Sequence, residues 1–119
     1  MALERGKLTN VIHVGAGTTV GVLTVTSSKK VYVKSIIACA PQIGIATASA
    51  QVYFCPVGVS SGPTNKIFDV DMVAGETVML EPSYPLVLDT DGDHLEIGTG
   101  DIGLGSTVVN FLITGDKEA

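Results

Sequence analysis

The sequence predicts an all-β protein: an antiparallel β-sandwich, jelly-roll-like, of about eight strands, with an extended N-terminal arm. Three observations carry this. No apolar pattern recurs at the helical period; apolar residues alternate, or form short runs rich in Val, Ile and Thr. Turn signals break these runs every 8–15 residues, the spacing of a sandwich or barrel. Gly is frequent, 14 of 119 residues, and supplies many of the breaks.

In chain order the expected strands are 9–14 (TNVIHV), 19–26 (TVGVLTVT), 31–39 (VYVKSIIAC), 49–55 (SAQVYFC), 66–71 (KIFDVD), 76–81 (ETVMLE), 84–88 (YPLVL), 93–98 (DHLEIG) and 107–114 (TVVNFLIT). Strand 84–88 contains Pro85, which cannot donate to a ladder, so it belongs at an edge. Alternation assigns faces. Ala50, Val52 and Phe54 share one, Leu95 and Ile97 another with His94 and Glu96 opposite, and Val109, Phe111 and Ile113 a third. With no Trp and three Phe, the core must be mostly aliphatic. Residues 1–18 read as an N-terminal arm or a first strand, and 19–119 as a single sandwich domain. The arm starts charged (Glu4, Arg5, Lys7), becomes apolar and extended (Val11, Ile12, Val14), and is released by Gly15 and Gly17. Such a segment can add as a strand to a neighbour's edge, making Val11, Ile12 and Val14 interface candidates.

Charged residues are 16% of the chain, against a usual quarter. They are unevenly placed. Residues 1–66 hold six Lys/Arg and one acid, residues 67–119 one Lys and eleven acids, giving the net −5. An acidic balance disfavours nucleic acid and anionic membrane as partners. Between Lys34 and Lys66 lie 31 uncharged residues, but Pro41, Gln42, Gly44, Gln51 and Pro56 interrupt the run and exclude a membrane span. Part of this stretch is core strand; the remainder, including the apolar segment APQIGIATA with Ile43 and Ile45, is expected to lie against another chain. No apolar h-region follows the first residues, so the chain is expected to be made and kept in a reducing cytoplasm until assembled.

Three motif matches fail on context. Gly58-Val59-Ser60-Ser61-Gly62 fits G-x-S-x-G, but a nucleophile elbow needs a following helix in a large α/β sheet, and this one reads as a flexible loop. Gly98-Thr99-Gly100-Asp101-Ile102-Gly103 fits G-x-G-x-x-G, but a strand follows rather than a helix. Asp89, Asp91 and Asp93 alternate as at the start of a calcium loop and are weak metal candidates; Gly stands fourth rather than sixth and position twelve is Gly100, so a solvated turn is the plainer reading. His13 and His94 lack a recognisable third zinc ligand. Cys39 and Cys55 read as free thiols, with a disulfide open only if their strands pair in register. No nucleophile, base and orienting group stand at a recognisable spacing. No catalytic residue, cofactor or bound metal is therefore expected.

The runs VYVKSIIACAP, SAQVYFCPVGVSSGPTNKIFDVDMVAGETVMLEPSYPLVLDTDGDHLEIGT and VVNFLITGDKE resemble small all-β virion structural proteins of tailed bacteriophages. The shared features are Lys34 to Ile37, the Pro56 to Gly58 loop, the Ala74 to Thr77 turn, the Leu86 to Asp93 step and the ending Phe111 to Asp116, over residues 31–116. The resemblance implies no catalytic residues. It implies a capsid decoration or cement protein that binds the major capsid protein as a homo-oligomer, a trimer by preference, in the virion of a phage whose host cytoplasm makes it. A tail-associated or receptor-binding fibre module is the alternative, and a small ligand- or calcium-binding sandwich a third. A glycan reader would show exposed aromatics, and the chain has only Tyr32, Tyr53 and Tyr84 besides its Phe residues.

Overall fold

The computed structural model describes residues 3–15, 18–41, 48–73, 75–100 and 108–118. These form ten strands and no helix: β1 (Leu3–Lys7), β2 (Ile12–Gly15), β3 (Thr19–Val22), β4 (Val31–Cys39), β5 (Ala48–Cys55), β6 (Lys66–Met72), β7 (Thr77–Leu80), β8 (Leu86–Leu88), β9 (His94–Gly100) and β10 (Val108–Glu118). One antiparallel sheet runs β1-β10-β4-β7, with β2 also on β10 and β8 also on β4; the other runs β3-β9-β5-β6. Pairing is nested. The first strands meet the last (β1 and β2 with β10), β3 meets β9, β4 meets β7 and β8, and β5 meets β6. Within the sheets, β10 also pairs β4 and β9 also pairs β5.

The sheets face each other over the expected aliphatic core. Val33, Ile36, Val109, Phe111 and Ile113 enter from one side, and Val52, Leu95 and Ile97 from the other. Phe111 is the largest side chain fully removed from solvent. The period-2 pattern accounts for this directly, since every second residue of β10 from Val109 to Ile113 is fully buried.

Residues 3–15 run along β10 as the edge of this chain's own sheet. This changes the reading of the interface candidates there. Val14 is a core residue at 1% exposure, because it points inward opposite Val109, and is corrected from a contact to a packing role. Ile12 packs against the same core, whereas Val11 is 64% exposed. Ile43 and Ile45 lie outside the described residues. Strand β1 was not expected from the sequence. LERGK carries no alternation, all five residues are exposed, and main-chain pairing to β10 holds it. Strand β3 stops at Val22 because Leu23 takes a left-handed conformation, φ 54°. Strand β10 runs four residues past its expected end at 114, to Glu118. It passes Gly115 through a bulge that shifts its register on β4. Cys39 and Cys55 sit on strands of different sheets and both are free thiols, which removes the cross-strand disulfide. No helix among the described residues is long and apolar enough to cross a membrane.

Gly115 is fixed by close approach. A Cβ there would collide with the Tyr32 carbonyl oxygen and stand 3.0 Å from the Lys34 backbone nitrogen, and backbone atoms cannot swing aside. Gly115→Ala is expected to destabilise by about 1–3 kcal/mol or more, as overpacking does. Gly62→Ala, where a Cβ meets nothing within 4 Å, should stay within about 0.5 kcal/mol of the parent. Denaturant unfolding of both variants checks this.

Candidate functional site

The end of β5 lies beside the start of β9, with Cys55 opposite His94 and Tyr53 opposite Glu96. Leu95 and Ile97 point into the core, so the strand period turns His94, Glu96 and Cys55 to the outer face of the four-stranded sheet. An outer face is ordinarily wet. Here the segment 56–65 between β5 and β6 folds back over it. Asn65 pins that segment: its Oδ1 accepts from the Gly62 N–H (2.8 Å), and its Nδ2 donates to the Ser60 carbonyl (3.0 Å) and reaches Cys55 Sγ (3.8 Å). The Val59 N–H donates to the Pro56 carbonyl at 3.0 Å, and the Ser61 side chain hydrogen-bonds Glu96. Cys55 is therefore buried, and the His94 and Glu96 side chains are only 19% and 16% exposed. The stretch that reads in sequence as a flexible G-x-S-x-G loop is a tied-down cover, with no helix after it.

His94 is held from both sides. Nε2 lies 2.9 Å from Glu96 Oε2 and Nδ1 lies 3.2 Å from the Gly92 carbonyl. Both partners are acceptors, and a neutral imidazole has one N–H to give. Gly92 closes this corner at φ 95°, where a Cβ would strike Val57 of the cover. One nitrogen, one sulfur and one oxygen donor, from His94, Cys55 and Glu96, lie within 4.8 Å of one another, the single convergent His/Cys/Asp/Glu group among the described residues.

Burial pushes the Cys55 thiol up to about 11, helped by the charge and hydrogen bond of Glu96. Burial also pulls Glu96 upward, but hydrogen bonds from His94, Ser61 and Cys55 and the charge of His94 outweigh it, and the carboxyl titrates below its ordinary value. A thiol held protonated is a poor nucleophile, the reverse of what a catalytic cysteine needs.

The weak metal candidates do not converge. Asp91 accepts from the Ser28 N–H at 2.6 Å, Asp93 from the Thr90 N–H at 3.2 Å, and Asp89 from the Thr90 hydroxyl at 3.2 Å. Asp89 and Asp93 are engaged within their own turn, and Asp91 by the segment between β3 and β4. His13 sits on the opposite sheet, 2.6 Å from Asn110.

A second feature lies on the outer face of the six-stranded sheet. Met79, Ile37 and Leu112 are register partners straight across β7, β4 and β10. Val11 and Cys39 join Ile37 and Leu112 around a shallow groove of about 270 Å³. Met79 and Val11 are more than half exposed. At the other end of this sheet the charges of the two chain halves meet: Asp116 lies between Lys34 (2.8 Å) and Arg5 (3.9 Å), and Lys117 faces Glu4 (3.7 Å).

Fold and site together define an antiparallel β-sandwich-like protein with a covered Cys–His–Glu cluster on one outer face and an apolar row on the other. No family model, no curated protein and no solved structure matches this chain.

Two outcomes follow from this chemistry. The folded state holds the Cys55 proton more tightly than the unfolded chain, so the stability it contributes is present below pH 9 and lost as pH rises from 9.0 towards about 11. Glu96 acts oppositely: its contribution is present above the ordinary carboxyl value of 4.5 and lost as pH falls below it. Denaturant unfolding across the alkaline range should show a limb that Cys55→Ala flattens, and native Cys55 should resist alkylation at neutral pH until the protein is unfolded. Calcium should leave the melting temperature unchanged relative to chelator, because a site saturated at about 100 times its Kd would add about 2.7 kcal/mol and raise it by several degrees.

Proposed function

We propose that this chain is a non-enzymatic structural protein of a tailed-phage virion, a decoration or cement protein that binds the outer capsid shell as a homo-oligomer and stabilises it. The observation that carries the reading is the unpartnered apolar row Met79–Ile37–Leu112 with Val11 beside it, set on a rigid sheet. A water-facing sheet surface ordinarily alternates to polar residues, and an apolar row there is the usual mark of a contact. Ile37 and Cys39 belong to the uncharged 35–65 stretch, which supplies much of this contact. The nested strand order supports a jelly-roll description, an architecture that recurs in viral capsid and lectin domains. The resemblance across residues 31–116 points the same way. A clamp needs no reactive group, only a stiff scaffold and a complementary surface.

The tail or receptor-binding alternative stands second. Reading a glycan calls for exposed aromatic faces, and of the three tyrosines Tyr53 is buried, Tyr32 half-buried and Tyr84 exposed by itself.

Sedimentation at micromolar concentration should show a homo-oligomer, with a trimer expected, and the protein should bind shells that lack it and raise their resistance to heat. Met79→Asp and Val11→Asp, both at exposed positions, should leave the fold intact while weakening assembly and shell binding about tenfold or more, the effect of about 1.4 kcal/mol. A monomer that ignores shells, or a protein that copurifies with tails in a handful of copies, overturns the decoration reading.

A further inference from the structure

We infer that Cys55, His94 and Glu96 form a zinc site, with the 56–65 segment as its cover. The inference does not rest on the virion reading. Three different donor types converge within 4.8 Å. Thiolate, imidazole and carboxylate are the zinc ligand set, whereas calcium and magnesium take oxygen donors alone. Three protein ligands leave the fourth tetrahedral position to water.

The surroundings are those of a metal centre's outer shell. The Gly92 carbonyl takes the Nδ1 proton of His94, which fixes the ring and turns the Nε2 lone pair towards the cluster. Ser61 hydrogen-bonds the Glu96 carboxylate, and the Asn65 amide reaches the Cys55 sulfur. Each ligand is thus oriented by a group from outside the cluster, and two of those groups belong to the cover.

Charge balances. A zinc dication held by a neutral imidazole, a thiolate and a carboxylate sums to zero charge; the thiol proton it displaces leaves to solvent, and nothing is oxidised or reduced. A buried cluster that takes the dication without acquiring net charge avoids the cost of burying one.

The test is titration of the full chain, kept reduced, with zinc alone. Expected are one equivalent bound with Kd below about 10 μM, a rise of several degrees in melting temperature, and no response to calcium. Cys55→Ser and His94→Gln should each weaken zinc by about 100-fold or more, while Cys39→Ser and His13→Gln bind as the parent does. Cobalt, which reports its ligands in the visible spectrum, should give the parent protein tetrahedral d–d bands and a thiolate-to-cobalt charge-transfer band. That reading needs no variant and stands even if Cys55→Ser fails to fold. Zinc weaker than about 10 μM, binding unchanged in His94→Gln, or a cobalt complex without the thiolate band each overturns the site.

Discussion

The structure depends on strand β10 and on what its alternation commits it to. Val109, Phe111 and Ile113 are fully buried, while Asn110, Leu112 and Thr114 between them face outward. One strand therefore sets both the core and the character of the sheet's outside. It is also paired along both edges, with β4 on one side and β1 and β2 on the other, so the N- and C-terminal thirds of the chain close on each other through it. A one-residue slip would send Phe111 to solvent and Leu112 and Asn110 into the core. The bulge between Thr114 and Gly115 shifts the β10–β4 register and lets Asp116 come to rest between Lys34 and Arg5. The opposed charges of the two chain halves are thereby satisfied partly within one molecule.

The outer faces are specialised differently. On the six-stranded sheet the polarity grades along the strands: ion pairs at Asp116, the Ser35–Thr114 hydroxyl contact in the middle, and the apolar row at the far end. On the four-stranded sheet Tyr53 donates to Gln51 and Lys66 pairs with Asp69, while Ile67 on β6 and Val20 on β3 are exposed apolar residues. Its buried Cys55 is covered by the chain itself. One face thus leaves an apolar row open to solvent, and part of the other is closed by the protein's own loop.

The strands were legible because half-buried strands must alternate, and 31–39 is recovered to the residue. Strand β1 was not, since main-chain pairing leaves no mark on side-chain pattern. The end of β10 was missed for a related reason: Gly115 reads as a stop, yet it is there because the Tyr32 carbonyl leaves no room for a side chain. The interface reading failed at Val14 because periodicity identifies an apolar face without saying whether a partner chain or the protein's own core covers it. The cluster was half visible. His94 and Glu96, two apart, announce a shared face, but Cys55 is thirty-nine positions away and joins them only through the β5–β9 register. The cover was invisible, because G-x-S-x-G and Asn65 look like ordinary loop residues until Asn65 is seen to serve three acceptors and donors at once.

That cover is an energetic problem of its own. Ordering a loop residue costs about 1–2 kcal/mol of backbone entropy, and the 56–65 segment has few apolar side chains with which to offset it: Val57 and Val59 are both substantially exposed. Its order must come from hydrogen bonds. Those of Asn65 close the segment on itself, which shapes it without attaching it. Attachment to the sheet falls to the Asn65 amide on Cys55, the Ser61 contact to Glu96 and the packing of Val57 against Gly92. The cover and the cluster beneath it are therefore coupled: the groups that hold the loop down are those that meet Cys55, Glu96 and the Gly92 corner beside His94.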